Sequence, residues 1–305
     1  MKIGIMTGMD RGAATPVALA QRLQEIEAQG FHSAWIPQGF AFDTIDTLSL
    51  AGHLTSKLVL GTAVTPTYPR HPTALATQAL TAASICGGRF VLGIGLSHKV
   101  VIEGMLGLSF DKPARHMREY LSILMPALRG EAVTFEGETL TARNFQVSLP
   151  GVEPPKVVVA ALGPVMLRLA GRMADGTITW MVGPRTMEQH VLPELAAAAA
   201  QAGRPAPMVV AGLPIALAAD PAAAREKIAK TLQIYGTLPS YRAMLDREGP
   251  GLGPADIAVV GDERALRAAA DRLAGLGVTH LMASVMNVEE GATQRTRQLL
   301  AELAD

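Results

Sequence analysis

One unit recurs along this sequence and restricts its fold more than any other feature: a helical segment, a glycine and a short apolar run. The unit occurs at Gly30, Gly88, Gly176 and Gly277, each of which is followed by such a run. A glycine just past the end of a helix adopts the left-handed conformation at little cost, so it ends the helix and turns the chain into a strand. The sequence therefore predicts helices that alternate with short strands.

The apolar runs are typical of strands that are buried on both faces, as in a parallel sheet. Eight strands, each followed by a helical pattern, favour a closed (β/α)₈ barrel, a TIM barrel, over an open doubly wound sheet. The length of 305 residues suits one barrel domain, residues 1–305, that carries insertions. The predicted strands are residues 2–6, 33–36, 58–64, 90–94, 156–160, 177–180, 208–217 and 280–284.

Two segments depart from the alternation of helices and strands. Residues 131–151 contain alternating apolar and polar residues around Glu136-Gly137, which predicts a β-hairpin. Residues 237–261 are rich in proline and glycine and contain a short helix at 240–247. Long loops of a barrel gather at its C-terminal face and cover the active site, so we expect insertions at that face and interpret 237–261 as a lid. A surface connector without a function is the alternative for this segment.

Charge and hydropathy exclude several classes of protein. Lys plus Arg and Asp plus Glu both number 27, so the net charge is zero, which argues against a nucleic-acid partner. No apolar run reaches the roughly 20 residues that span a bilayer. The first seven residues are unlike a signal peptide. These observations predict a cytoplasmic protein, and the spacing of its seven histidines does not indicate a metal site.

The familiar catalytic motifs are absent, so candidate residues are inferred from their place at strand ends. Residues 160–163 run directly into a helix that starts at Pro164, where free N–H groups and the helix dipole suit a phosphate. A tight turn that binds nothing is the alternative. His98 follows the fourth strand, and its ordinary pKa range suits proton transfer, although a purely structural histidine is also consistent with this position.

Several short motifs occur in a fixed order along the chain. They are LGTAVTP at residues 60–66, RHP at 70–72, GGRFVLGIG at 87–95, AALGP at 160–164 and ADG at 174–176. In this order they resemble the luciferase-like monooxygenase superfamily over nearly the whole chain, and most closely its oxidoreductases that depend on the deazaflavin coenzyme F420. The resemblance implies a TIM barrel of the bacterial-luciferase type, a deazaflavin or flavin cofactor and a homodimer.

The resemblance also implies roles for individual residues. A non-proline cis peptide at the end of the third strand would form a bulge behind the tricyclic ring, the turn after the fourth strand would line the ring, and the turn after the fifth would hold the phosphate. The implied cofactor-binding residues are Ala63, Val64, Thr65, Gly95, Leu96, Ser97, His98, Ala160, Ala161, Leu162 and Gly163.

One departure from the related sugar-phosphate dehydrogenases matters for the chemistry. Those enzymes carry an Asp-His pair after the second strand, whereas the matching residues here are Gln38 and Gly39. Oxidation of a sugar phosphate is therefore disfavoured. We predict His98 as the proton donor and Gln38 as a group that hydrogen-bonds the ring edge or the substrate. The predicted substrate surface comprises Met6, Phe40, Trp180 and Tyr241.

Three functions are consistent with these residues. The first is hydride transfer between coenzyme F420 and a small, neutral or hydrophobic organic substrate. The second is a monooxygenase that uses reduced FMN and oxygen and is supplied by a separate reductase. The third is a barrel that binds a cofactor without turnover. The type of cofactor that the protein binds distinguishes the first two, and a cofactor that no substrate alters would favour the third.

Overall fold

Eight parallel strands form a closed barrel in the structure, a computed structural model that describes residues 1–8 and 15–304. The strands of the described residues are β1 Lys2–Met6, β2 Ser33–Ile36, β3 Val59–Thr62, β4 Thr65–Pro66, β5 Phe90–Gly95, β6 Val133–Glu136, β7 Thr141–Phe145, β8 Lys156–Ala160, β9 Gly176–Trp180, β10 Met208–Leu217, β11 Val259–Gly261 and β12 His280–Val285. Around the barrel their order is β1, β2, β3, β5, β8, β9, β10 and β12, and β12 pairs with β1 to close it. The predicted TIM barrel is therefore confirmed.

Helices surround the barrel. They are α1 Pro16–Ala28, α2 Thr44–Leu54, α3 Pro72–Ile85, α4 Lys99–Ile102, α5 Pro113–Leu128, α6 Pro164–Met173, α7 Pro184–Thr186, α8 Leu192–Gln201, α9 Pro221–Leu232, α10 Pro239–Glu248, α11 Pro254–Ile257, α12 Glu263–Leu276 and α13 Ala292–Glu302. A π-helical turn, Met187–Val191, joins α7 to α8. Residues of α4 and α10 line a cavity at the carboxyl end of the barrel. None of these described helices has the length and apolar character that crossing a bilayer requires.

The third strand ends earlier than the sequence predicts. We expected residues 58–64, whereas β3 is Val59–Thr62 and pairing with β5 resumes only at β4. Residues 63–64, whose peptide bond is cis, leave the regular ladder between the pairs that β3 and β4 make with β5. The interruption falls at the carboxyl edge of the barrel.

The interior of the barrel is filled with apolar side chains below this edge. Trp35 is fully buried there, packs in a cluster with Val91, Val158 and Met282, and donates its indole N–H to the Ser33 hydroxyl at 2.9 Å. A second, larger cluster fills the space between the strands and the helices. The barrel interior is thus a packed core, as in other TIM barrels.

The two insertions lie in different kinds of connection. The hairpin of β6 and β7 joins α5 to β8 and packs against α5, so it is part of an αβ connection. The second insertion follows β10, a strand of ten residues whose last three pair with β11. It therefore extends from the C-terminal face, where we expected a lid.

Glu119 of α5 holds the hairpin turn and is 2% exposed. Its carboxylate accepts hydrogen bonds from the backbone N–H groups of Glu138, Thr139 and Leu140 and from the Thr139 hydroxyl, at 2.7–3.2 Å. We expect Glu119→Gln to lower the free energy of unfolding at pH 7 by about 2 kcal/mol, because hydrogen bonds to a charged acceptor are stronger than those to an amide. Urea denaturation measures this change.

The contribution of Glu119 also depends on pH. Burial raises its pKa, but the hydrogen bonds from Thr139, Glu138 and Leu140 outweigh burial and lower it to about 2, from 4.5. Because the folded-state pKa is depressed, the stabilisation is complete above pH 4.5 and is lost as the pH falls toward 2. Glu136→Gln is a matched control, since its ion pair with Arg143 is exposed on the same hairpin. Equal stability losses in both variants would contradict the assignment.

Candidate active site

A cavity of about 960 Å³ opens at the carboxyl ends of the barrel strands. The ends of β5, β8 and β9 form one side of it, and the beginning of α10 forms the other. Sites for small molecules range from about 300 to 1,000 Å³, so this volume accommodates a cofactor-sized ligand. The cavity lies where active sites of TIM barrels are found.

The floor of the cavity is the bulge at the end of β3. Ala63 and Val64 both line the cavity, and the cis bond between them is the one that the resemblance implies. Two glycines of β5 make room for the bulge. A Cβ atom on Gly95 would lie 2.6 Å from a methyl group of Val64, and one on Gly93 would lie 2.0 Å from the Thr62 carbonyl oxygen. The Gly-Ile-Gly sequence therefore lets the bulge pack directly against β5. The resulting floor of the cavity is small and apolar.

Next to the floor, the turn after β8 leads into α6. Residues 160–163 line the cavity, and no side chain caps the helix at its N-cap, Gly163. The first N–H groups of a helix have no partner within it, and the helix dipole is positive at this end. A Cβ atom on Gly163 would meet nothing within 4 Å, so the approach to these N–H groups is open. We call residues 160–163 and the first turn of α6 the anion seat.

His98 lies at the mouth of the cavity, directly before α4. It is half-buried, lines the cavity and forms no side-chain cap for α4. The preceding Ser97 has φ 61°, a left-handed turn that directs the chain over the barrel end. Burial lowers the pKa of His98, so its neutral form predominates at pH 7.

Aromatic rings bridge the cavity from His98 to the end of β9. The ring centroids of His98 and Tyr241 are 5.9 Å apart, those of Tyr241 and Tyr235 are 5.0 Å apart, and those of Tyr235 and Trp180 are 6.1 Å apart. Burial raises the pKa of Tyr241, and the neighbouring Tyr235 raises it further, so the phenol is neutral at pH 7. Aromatic residues form only 4% of the chain, and their concentration here gives the cavity a flat, apolar wall.

The lid helix α10 is fixed at its far end by Glu248. This carboxylate accepts the backbone N–H of Arg185 at 3.1 Å, and the backbone N–H and hydroxyl of Thr186, both at 2.7 Å. Gly183 permits this approach, since a Cβ atom there would lie 2.3 Å from the carboxyl carbon of Glu248. The contact holds the lid against the loop after β9 and keeps Tyr241 over the cavity.

The structure brings most of the predicted site residues together. Those that line the cavity are Ala63, Val64, Gly95, Leu96, Ser97, His98, Ala160, Ala161, Leu162, Gly163, Trp180 and Tyr241. Four others do not line it, and each has a physical reason.

The side chain of Gln38 forms hydrogen bonds within its own loop. Its Nε2 donates to the backbone carbonyls of Gly39 and Phe42, and its Oε1 accepts the backbone N–H of Thr44. Met6 packs onto the apolar cluster inside the barrel, and Phe40 is 78% exposed on the loop after β2. Thr65 is fully buried beside β5.

The sequence analysis missed other residues that line the cavity. Phe110 belongs to the segment after α4, whose path no sequence motif marks. Met166 lies two residues past Pro164, so the predicted helix start could have identified it. Thr179 lies next to the carboxyl end of β9, so the predicted strand end could have suggested it, whereas Met282 lies in the middle of β12.

A closed parallel barrel with one large site at its C-terminal face has the architecture of a TIM-barrel enzyme. A family model described as luciferase-like monooxygenase matches residues 1–281 of the chain. The chain belongs to the luciferase-like monooxygenase family.

Relatives in sequence include enzymes named as reductases and as F420-dependent dehydrogenases. A 5,10-methylenetetrahydromethanopterin reductase of Methanolobus tindarius is 30% identical over 237 residues, 77% of this chain and 71% of the relative. An F420-dependent glucose-6-phosphate dehydrogenase of Nakamurella multipartita is 32% identical over 203 residues, 62% of this chain and 60% of the relative. These relatives support an oxidoreductase.

Solved structures share the fold at low sequence identity. The coenzyme F420-dependent tetrahydromethanopterin reductase of Methanopyrus kandleri has a TM-score of 0.77 and 21% identity, covering 99% of this chain and 97% of its own. The oxygenating constituent of 3,6-diketocamphane monooxygenase from Pseudomonas putida, in complex with FMN, has a TM-score of 0.75 and 17% identity, with the same coverage. Both confirm the barrel.

Proposed function

We propose that this protein transfers a hydride between coenzyme F420 and a small, neutral or hydrophobic organic substrate. The observation that carries the proposal is that the apolar floor of Ala63 and Val64 and the anion seat line the same cavity. When bound, coenzyme F420 supplies or accepts a hydride at carbon 5 of its deazaflavin ring. Sequence relatives named for F420-linked reactions support this cofactor over FMN.

The residues of the cavity fit a flat ring with a phosphate-bearing arm. Val64 and Ala63 offer an apolar surface for a ring, and the glycines of β5 keep that surface free of larger side chains. The anion seat offers uncapped N–H groups and open space at Gly163 for the phosphate. Residues 95–98 would line the ring between these two sites.

The rest of the cavity lining favours an uncharged substrate. Trp180, Tyr241 and Met282 contribute large side chains with little charge to it. The two charged residues of the lining, Lys99 and Glu103, lie one helical turn apart with their charged groups 3.5 Å from each other. Because these charges offset one another, the described part of the lining offers a phosphorylated substrate no unpaired positive charge. We propose that the lid covers the cavity and excludes water during hydride transfer.

His98 is the proposed proton carrier. In the direction of substrate oxidation the neutral imidazole accepts a proton, and in the direction of reduction the imidazolium returns it. We expect His98→Gln to reduce turnover about 100-fold, a typical contribution of a general acid or base.

The lowered pKa of His98 fixes the sign of the pH dependence. Oxidation should require the neutral form and rise with pH through a value below 6.5, whereas reduction should fall over the same range. His98→Gln should flatten both profiles, which steady-state rates from pH 5 to 8 measure. His53→Gln, a change at an exposed residue of α2, is the control. Full activity of His98→Gln across this range would contradict the role.

Side-by-side binding of coenzyme F420 and FMN to the purified protein tests the proposed function. We expect micromolar or tighter binding of F420, measured by its fluorescence, with much weaker binding of FMN. Hydride transfer is then observed as loss of F420 absorbance with candidate substrates. The reverse preference would favour an FMN-dependent monooxygenase, which the anion seat also suits because both cofactors carry a phosphate. Binding without any turnover would favour a non-catalytic barrel.

The homodimer and the cytoplasmic location remain predictions. Sedimentation tests the first, and cell fractionation tests the second.

A further inference from the structure

A histidine outside the cavity contacts the anion seat from behind. His190 lies in the π-helical turn Met187–Val191 and is 7% exposed. Its Nε2 atom is 2.8 Å from the carbonyl oxygen of Leu162. A carbonyl oxygen only accepts hydrogen bonds, so Nε2 carries the proton and donates. The wide π-helical turn, a feature found frequently at functional sites, directs this ring toward the turn after β8.

The geometry of one peptide group links His190 to the cavity. The peptide between Leu162 and Gly163 is trans, because Ala63–Val64 is the cis bond that the described backbone contains. In a planar trans peptide the C=O and N–H bonds point in opposite directions. When His190 holds the Leu162 carbonyl, the N–H of Gly163 therefore points away from His190. Leu162 and Gly163 line the cavity and His190 does not, so this N–H faces the cavity side.

We infer that His190 is a positioning residue of the anion seat, which orients the Gly163 N–H toward a bound phosphate without touching it. The inference rests on the proposed function only in assuming that the cavity takes a phosphate-bearing ring cofactor. Without the donor at residue 190, the Leu162–Gly163 peptide can rotate, and one N–H no longer points at the phosphate. The ring part of the cofactor lies on the floor and does not depend on this peptide.

The test compares two probes that share a ring system and differ in the phosphate, FMN and riboflavin. Dissociation constants are measured by fluorescence quenching for the wild type, His190→Phe, His190→Ala and His190→Gln. We expect the Phe and Ala variants to weaken FMN binding about 10-fold, the loss of one oriented hydrogen bond. Riboflavin binding should change less than 2-fold. The Gln variant keeps an N–H donor and should restore most of the FMN affinity. His53→Phe is the control.

Each outcome decides the inference. Equal losses for FMN and riboflavin would show that His190 only supports packing, and an unchanged FMN constant in both the Phe and Ala variants would show that the seat does not need it. If the wild type binds FMN no tighter than riboflavin, the turn holds no phosphate and the inference is overturned. A failure of the proposed function looks different: the FMN-to-riboflavin ratio changes as expected, but coenzyme F420 is not preferred over FMN.

Discussion

Replacement of Gly163 by Asp is expected to stabilise the fold slightly while it abolishes cofactor binding. Gly163 is the N-cap of α6, has extended backbone angles that any residue adopts, and leaves open space for a side chain. An aspartate there caps the first N–H groups and complements the helix dipole, a gain of about 0.5 kcal/mol. The same carboxylate occupies the anion seat and repels a phosphate.

We expect the affinity for coenzyme F420 and for FMN to fall at least about 100-fold, because two negative groups a few ångströms apart repel by several kcal/mol at a partly buried site. Riboflavin, which has no phosphate, should lose less than about 3-fold. Fluorescence titration measures the affinities, and thermal unfolding measures the gain in stability. Gly163→Ala and Gly163→Asn separate charge from size. If the Asp variant still binds FMN as tightly as the Asn variant, the phosphate lies elsewhere.

Gly61→Ala is expected to cause a large loss of stability for a change of one methyl group. A Cβ atom on Gly61 would lie 2.2 Å from Cε3 of Trp35, in the middle of the barrel. Trp35 is fully buried and confined by the surrounding cluster, so neither the ring nor the strand can yield without disturbing the packing. We expect a decrease of about 3 kcal/mol in the free energy of unfolding.

Urea denaturation of Gly61→Ala and of Gly39→Ala provides the comparison. A Cβ atom on Gly39 would meet nothing within 4 Å, so the second variant should lie within about 0.5 kcal/mol of the wild type. A loss below 1 kcal/mol in Gly61→Ala would mean that Trp35 has room to move and that the barrel interior is less tightly filled than the structure shows.

The barrel and the cavity walls were predictable because they depend on short-range patterns. Short apolar runs, four of them preceded by a glycine, marked the eight barrel strands, and the carboxyl ends of those strands necessarily meet at one face. For this reason His98, Trp180 and residues 160–163 were placed at the cavity from their position alone. The cis bond was expected from the resemblance of the motif at residues 60–66 to the superfamily. Residue propensities alone would not have suggested it.

Of the four predicted site residues that do not line the cavity, Gln38 and Phe40 lie in the loop after β2, whereas Met6 and Thr65 lie on β1 and β4. Gln38 follows a strand, as a site residue should, but a loop can turn a side chain back on itself, and here the backbone of Thr44 and Phe42 takes both ends of its amide. Phe40 lies on the same loop and is 78% exposed. His190 was not predicted as a residue of the site, since the π-helical turn that directs it toward Leu162 has no recognisable sequence pattern.

The length of β10 has a consequence for how such a protein could diversify. Residues 210–215 pair with β12 in the barrel wall, residues 215–217 pair with β11, and residues 218–258 form the connection between β10 and β11. Tyr235, Tyr241 and Glu248 all lie in this loop, whereas the floor and the anion seat lie outside it. Replacement of residues 218–258 as a unit, by recombination or by design, would therefore change substrate preference. It would leave the residues proposed to bind the cofactor unchanged.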